Sequence, residues 1–176
     1  ELAVLPEYFC LIGQHDADKL HIQEPLGRGP IQDFVANTAA RLGLWVVAGT
    51  LPISASQPEH VFNSTLVFNP QGQCAARYDK IHLFRFDNGR ESYDESHVLV
   101  PGSQAVAFDV PSIDGHRWRV GLSVCYDLRF AELYRAYAAQ GADLVLVPSA
   151  FTYPTGQAHW ELLLRARAVE NLCFVA

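Results

Sequence analysis

A strand, a turn and a helix in succession constrain this chain most. Residues 117–124 have the composition of a buried strand, and residues 130–140 carry apolar side chains at helical spacing. Cys125 therefore lies at a strand-to-helix turn, with its thiol directed toward the positive end of the helix. That position lowers the pKa of a thiol and supplies N–H donors, as a nucleophile requires. A small buried core residue is the other interpretation of Cys125 from this stretch alone.

The rest of the chain alternates short apolar runs with amphipathic helices. Strands are predicted at residues 2–5, 45–50, 61–68, 74–78, 106–110 and 144–147, and further helices at 30–42 and from about 159 to 171. Hairpins join strands 61–68 and 74–78, and strands 106–110 and 117–124, as often as helices do. The pattern predicts mixed sheets covered by helices, an α/β layered fold in one domain over residues 1–176.

Composition narrows the function classes. A net charge of −6 with no basic stripe argues against nucleic acid or an anionic membrane as the main partner, and no apolar run is long enough to cross a bilayer. The four cysteines are widely spread, which favours a reducing, cytoplasmic setting. Cys10, Cys74 and Cys173 are expected to be inert core residues. The chain lacks Met and begins and ends in strand-like segments, so we expect it to be part of something longer.

Three further groups stand at strand ends or in adjacent loops. Glu7 follows the first strand, Lys80 follows the hairpin that ends near residue 78, and Glu95 lies in a charged segment with Glu91. A thiol nucleophile needs a base. Glu7 could take the thiol proton, while Lys80 and the N–H after Cys125 could hold the oxyanion. A histidine base stays open, since four histidines are available, although none lies in a local signature: His82, His97, His116 and His159.

Three segments resemble the catalytic signatures of the nitrilase superfamily, the carbon–nitrogen hydrolases, in their usual order. They are Leu-Pro-Glu-Tyr-Phe at 5–9, Arg-Tyr-Asp-Lys-Ile-His-Leu at 77–83 and Gly-Leu-Ser-Val-Cys-Tyr-Asp-Leu-Arg-Phe at 121–130. Segments 24–27, 148–151, 155–160 and 165–170 resemble the Nit-type amidases, the branch with deaminated glutathione amidase and omega-amidase. The resemblance covers essentially the whole chain.

The resemblance implies a role for each candidate. Glu7 would be the general base, Lys80 the oxyanion stabiliser and Cys125 the nucleophile. The additional glutamate of the family best matches Glu95, with Glu91 as the alternative. The implied fold is a four-layer αββα sandwich that dimerises. Here it would be incomplete, without the family's opening strand and helix and its closing strands.

The implied activity is that of a thiol-dependent amidase, which releases acid and ammonia from a small carboxylate-bearing amide without metal or organic cofactor. The N–H of Tyr126 would share the oxyanion, and Arg129, Thr155 and His159 could line the pocket and meet a substrate carboxylate. His159 could equally pack at a helix start. Three alternatives stay open: a Cys–His hydrolase, a nitrilase or carbamoylase of the same fold, and a non-catalytic interaction module.

Overall fold

The computed structural model describes residues 1–87, 89 and 92–176. The described part contains ten strands and three α-helices. The strands are β1 (Leu2–Val4), β2 (Trp45–Ser54), β3 (Val61–Phe68), β4 (Cys74–Asp79), β5 (Arg85–Asp87), β6 (Ser92–Asp94), β7 (Ala107–Pro111), β8 (Arg117–Leu122), β9 (Leu144–Leu146) and β10 (Phe174–Val175). The helices are α1 (Pro30–Leu42), α2 (Ala131–Ala139) and α3 (Tyr153–Asn171).

Two four-stranded sheets dominate the architecture, in the orders β1-β2-β3-β4 and β10-β9-β8-β7. In the first sheet β1 runs parallel to β2, while β2, β3 and β4 are antiparallel. In the second sheet β7 and β8 form a hairpin, and β8, β9 and β10 are parallel. Within the described residues, the strands β5 and β6 pair only with each other. The prediction of mixed sheets with two major hairpins is confirmed.

Successive residues of a strand face opposite sides of its sheet, so alternate side chains of the central strands pack into different layers. In β2, Val46 and Ala48 pack with Val35 of α1, whereas Val47 belongs to the apolar cluster between the two sheets. The outer face of the second sheet packs against α2 and α3, as with Val145. The order is therefore helix, sheet, sheet, helices, and the four-layer αββα prediction is confirmed.

Two stretches differ from the sequence-based expectation. Helix α3 begins at Tyr153, six residues before the predicted start at His159, because Pro154 fits the first turn of a helix, where no N–H is needed. The charged segment around Glu95, for which no strand or helix was predicted, contains the β5–β6 pairing and a 3₁₀ turn at Glu95–His97. Both differences place ordered structure beside Cys125 and Lys80.

The three cysteines expected in the core differ in exposure. Cys10 and Cys173 are half-buried against apolar clusters, and burial raises the pKa of Cys10 to about 11. Cys74 is exposed at the start of β4, so its placement in the core was wrong. Its position on the last strand of a sheet leaves that side chain outside the layers.

None of the described helices combines the length and apolar character that spanning a membrane requires.

Candidate active site

The segment that carries Glu7 crosses directly over β2. Leu5 N donates to Val47 O at 2.9 Å, and Tyr8 N donates to Thr50 Oγ1 at 2.8 Å. Between these contacts a side chain at Gly49 would collide with the Leu5 and Pro6 carbonyl groups, so only glycine permits the approach. The register of β2 on β3 also shifts at this point. The irregularity in β2 thus brings Glu7 into the molecule, where its side chain is 1% exposed.

Lys80 lies just beyond the end of β4 and is held from two sides. Its N–H donates to Asn63 O at 3.0 Å, and its carbonyl accepts from Gly102 N at 2.8 Å. A side chain at Gly102 would collide with Asp79 O, which explains the need for glycine there. The side chain of Lys80 is 1% exposed, and Nζ lies 3.2 Å from Glu7 Oε1 and 2.9 Å from the Glu95 carboxylate.

Glu95 completes the pair of carboxylates around that ammonium group. It opens the 3₁₀ turn Glu95–His97, and its carboxylate accepts from Phe84 N at 2.7 Å and from the Tyr8 hydroxyl at 3.2 Å. The second glutamate candidate, Glu91, lies outside the described residues. Among the residues described, Glu95 is therefore the additional carboxylate beside Lys80.

Cys125 follows β8 in a strained conformation. Its φ is 50°, in the left-handed region, and its N–H donates to Pro148 O at 3.0 Å beyond the end of β9. A 3₁₀ turn, Cys125–Arg129, separates it from α2, so the thiol does not stand at the N-terminus of a long helix. The expectation of a thiol facing the positive end of the helix was wrong for this reason.

The electrostatic surroundings reverse the expected pKa shift of that thiol. Burial raises the pKa of Cys125, and the Glu7 carboxylate raises it further, against the opposing effect of Lys80 and of the Ala150 N–H. The predicted lowering was wrong, because packing between the layers removes the thiol from water. The resting thiol is protonated at neutral pH, so its attack on a carbonyl requires a base.

Lys80 shows the opposite balance. Burial by itself lowers the pKa of an ammonium group, but the carboxylates of Glu7 and Glu95 outweigh burial and raise the pKa of Lys80 above its ordinary value. The side chain is therefore a fixed cation at neutral pH. An ammonium group has three donors, and two of them serve the carboxylates.

These groups meet at a cavity of about 500 Å³, whose wall includes Glu7, Glu95 and Cys125. Tyr126, Arg129 and Thr155 also line it, as the sequence suggested. Lys80 is not among the lining residues, because it lies buried between the two carboxylates.

His159 lies elsewhere than the cavity wall, so its expected place in the lining was wrong. It is exposed in the second turn of α3, where Nδ1 lies 3.2 Å from Arg129 Nη2. The earlier helix start moves His159 away from the first turn, whereas Trp160 packs on Phe151 with ring centroids 4.9 Å apart. His159 thus contacts a lining residue from outside.

The histidine-base alternative loses support from the geometry. His82 pairs with Asp127 at 2.7 Å, His97 approaches Asp94 at 4.0 Å and His116 approaches Asp143 at 3.6 Å. None of these three lines the cavity. His15, which does line it, is exposed, and it is Glu7 and Lys80 whose charges act on the Cys125 thiol.

Two buried polar residues at the site were missed from the sequence. Asn63, in the middle of β3, donates from Nδ2 to Glu7 Oε1 at 3.0 Å. Asp127 accepts from Val124 N at 2.9 Å and from Tyr78 Oη at 2.6 Å, which ties the Cys125 turn to β4. The available signal was an asparagine inside a predicted strand, since Asn is depleted in strands.

The fold and this arrangement of groups are those of the carbon–nitrogen hydrolase family. The model of the carbon–nitrogen hydrolase family matches residues 1–176, and the chain belongs to that family.

Particular relatives extend the comparison. A deaminated glutathione amidase of Yersinia enterocolitica is 43% identical over 180 residues, which cover 99% of this chain and 60% of the relative. The human omega-amidase NIT2 is 41% identical over 143 residues, which cover 81% of this chain and 49% of the relative. The chain thus spans three fifths or less of the length of these two relatives.

A solved structure is also similar, that of a mutant amidase from Nesterenkonia sp. AN1 with acrylamide added at its active-site cysteine. It superposes with a TM-score of 0.76 at 28% identity, over 99% of this chain and 63% of that one.

Proposed function

We propose that the protein is a thiol-dependent amidase. It hydrolyses a small carboxylate-bearing amide to an acid and ammonia, in the manner of a deaminated glutathione amidase. The observation that carries this proposal is the cluster of Glu7, Lys80 and Cys125 beside the cavity. A thiol, a buried carboxylate and a buried ammonium group lie together, and acyl transfer through sulfur uses a nucleophile, a base and an oxyanion stabiliser of these kinds.

In the first half-reaction Glu7 takes the proton of Cys125 as sulfur attacks the amide carbonyl. A C–S bond forms, and the carbonyl oxygen becomes an oxyanion that the Lys80 ammonium and the Tyr126 N–H stabilise. The C–N bond then breaks, and the leaving nitrogen takes the proton from Glu7 and departs as ammonia. A thioester on Cys125 is left.

In the second half-reaction water replaces ammonia. Glu7, again a carboxylate, removes a proton from the water as its oxygen attacks the thioester carbonyl. The C–S bond breaks, sulfur recovers the proton from Glu7, and the acid leaves. Glu95 does not exchange protons in this scheme. It is the second carboxylate that binds Lys80 Nζ, at 2.9 Å, and with Glu7 it fixes the position of the ammonium group.

Substrate class is inferred from the cavity wall. Arg129 lies over the rings of Tyr126 and Phe151, 5.8 and 6.0 Å from their centroids, which limits the positions of its guanidinium group. A guanidinium fixed in this way suits a carboxylate on the substrate, and Thr155 offers a hydroxyl nearby. His159 supports Arg129 from outside the cavity. An omega-amidase is the second candidate, since the same features fit the omega-amide of a small dicarboxylate.

Ammonia release by the intact protein tests the proposal, with deaminated glutathione and alpha-ketoglutaramate as the two substrates. Cys125→Ala should abolish release while the urea unfolding midpoint stays near that of the unmodified protein. Cys74→Ala is the matched control, because that thiol is exposed and outside the cavity, and it should retain full activity. Release that survives in purified Cys125→Ala would contradict the scheme, and the ratio of the two rates chooses between the branches.

We further propose a homodimer in a reducing compartment, the cytoplasm. Helix α3 presents Leu162 and Val169 to solvent at 66% and 75% exposure, and apolar side chains of this kind favour burial against a second copy. The four cysteines are all free. Neither nucleic acid nor a membrane is needed as a partner, and the scheme requires no metal or organic cofactor.

A further inference from the structure

Asn63 contacts the proposed base through an amide that is almost completely buried in β3. Both hydrogens of its Nδ2 are used: one is donated to Glu7 Oε1 at 3.0 Å and the other to Tyr8 Oη at 3.1 Å. Its Oδ1, by contrast, finds no hydrogen-bond partner within the part of the chain that the structure describes. The residue therefore serves the site as a donor only.

Asn63 contributes the two N–H donors of its amide to the site, whereas the amide oxygen makes no hydrogen bond to the described residues. Turning the Asn63 amide over would place Oδ1 against the Glu7 carboxylate, two acceptors in contact, so the observed orientation is the only favourable one. A buried acceptor without a partner destabilises a fold. Leucine has the same number of side-chain heavy atoms and would bury no polar group. The cost of a buried asparagine is offset by its hydrogen bonds to Glu7 and Tyr8.

The hydrogen bonds run in one direction from Asn63 through Tyr8 to Glu95, the second carboxylate of the site. Because Tyr8 Oη accepts from Asn63, its own proton is directed to Glu95 Oε1 at 3.2 Å. Glu7 likewise receives only donors, from Lys80, from Asn63 and, at Oε2, from Ala150 N at 2.8 Å. Donors favour the ionised form of a carboxylate.

We propose that Asn63 is a positioning residue that holds the Glu7 carboxylate in place and directed at Cys125. This inference rests on the proposed role of Glu7 as the base. The other titratable groups that face Glu7 are Lys80 and Cys125. Their number and charge do not change when Asn63 is replaced by a neutral residue.

Two more groups lie one contact further away. Tyr8 stands beyond the Asn63 amide, and Glu95 stands across the Lys80 ammonium. Burial, followed by the charges of Glu95 and Glu7, raises the pKa of Tyr8 well above its ordinary value, so its hydroxyl stays a neutral donor.

The test is the acid limb of two pH profiles in the intact protein, unmodified and as Asn63→Leu. One profile is kcat/KM for ammonia release. The other is the rate at which iodoacetamide alkylates Cys125, located by peptide mass spectrometry. Both limbs report protonation of the coupled Glu7–Cys125 pair. Loss of one donor to a charged carboxylate should move both limbs to higher pH by about one unit or more.

Asn171→Leu is the matched control. Asn171 is also buried, donates from Nδ2 to Arg167 O at 2.9 Å and has an Oδ1 without a hydrogen-bond partner among the described residues, but it lies at the end of α3, off the cavity wall. The same substitution there should leave both limbs where they are. Limbs that coincide in Asn63→Leu and Asn171→Leu would overturn the proposal.

A second variant covers the case in which Asn63→Leu does not fold. Asn63→Asp keeps the shape of the side chain and adds a carboxyl group to those of Glu7 and Glu95. Like charges in contact disfavour the ionised form of a carboxyl group. Its limbs should move in the same direction, by at least as much as those of the leucine variant. Unchanged limbs in a folded Asn63→Asp protein would overturn the proposal as well.

The alkylation profile separates this inference from the proposed function, because it requires no amide turnover. If neither amide releases ammonia but the alkylation limb moves in Asn63→Leu, the amidase assignment fails and the positioning role stands. If ammonia is released and neither limb moves in the two Asn63 variants, the amidase assignment stands and the positioning role fails.

Discussion

Replacing Asp127 by asparagine should destabilise the protein strongly, although the two residues have nearly the same shape. The carboxylate is completely buried. Its Oδ1 accepts from His82 N at 2.9 Å and lies 2.7 Å from His82 Nδ1, while Oδ2 accepts from Tyr78 Oη at 2.6 Å and from Val124 N at 2.9 Å. Asparagine can offer an acceptor at only one of these two positions.

The size of the effect follows from which donors can adapt. The Tyr78 hydroxyl can rotate to accept, and the His82 ring can change tautomer, but a backbone N–H cannot. In either amide orientation, one buried N–H, from His82 or from Val124, faces an NH₂ group. A buried donor left without its acceptor costs about 1–3 kcal/mol, and the remaining bonds lose the assistance of the charge. We expect Asp127→Asn to lose about 2–4 kcal/mol.

Equilibrium urea unfolding at neutral pH measures this loss, which corresponds to a decrease of roughly 5–15 °C in Tm for a chain of this size. The matched control is Asp109→Asn in β7. That carboxylate is 32% exposed and pairs with Arg119 at 3.1 Å, so the change should cost less than about 1 kcal/mol. If Asp127→Asn were as stable as Asp109→Asn, the Asp127 hydrogen bonds would not hold the turn, and the reasoning would be refuted.

Two further predictions concern the close approach at β2 and the buried tyrosines. Gly49→Ala should cost at least about 1–3 kcal/mol in urea unfolding, because the added carbon would collide with Leu5 O. Gly156→Ala, in the helix α3 with room for a methyl group, should be neutral or stabilising, and equal stability of the two variants would contradict the account. Burial raises the pKa of Tyr134 and Tyr137 above the ordinary value of 10.0, so the fold keeps protons that the unfolded chain releases. The stability these groups provide is present below that pH and lost above it, by about 1.4 kcal/mol per pH unit for each tyrosine. Tyr134→Phe should make the decline of unfolding free energy above about pH 10 shallower by that amount, and an unchanged slope would contradict the prediction.

Much of the fold could be predicted because its signals are local. Strand β3 was predicted with the bounds that the structure shows, and α1 ends where Gly43 adopts the left-handed conformation that glycine favours. The start of α3 could not be predicted in the same way. Pro154 and Gly156 are typical of loops, and whether they begin a helix depends on what Trp160 packs against, which is Phe151.

The sequence predicts those parts of the candidate site that depend on residue type and on where strands end. It does not predict the parts that depend on packing between the layers. Glu7, Lys80 and Cys125 each follow a strand, and the structure places them together. The direction of the thiol pKa shift was predicted wrongly, because it depends on burial between the sheets and on the distance to Glu7, neither of which a local motif contains. The contact of Asn63 with Glu7 joins residues 56 positions apart, so it depends on the pairing of the strands.

Three features of the site share a physical property, which is that each is locally unfavourable. Cys125 and Tyr8 have φ values of 50° and 54°, where residues other than glycine are strained, and Asn63 carries a buried oxygen that has no hydrogen-bond partner in the described part of the chain. The apolar cluster between the sheets on one side and the cluster under α1 on the other stabilise the fold enough to offset these costs. Such unfavourable features cluster at functional sites, where the position of reacting atoms matters more than local stability. Here they lie around one carboxylate, that of Glu7. The convergence on Glu7 is therefore the physical reason to treat Asn63 as part of the machinery that positions the base.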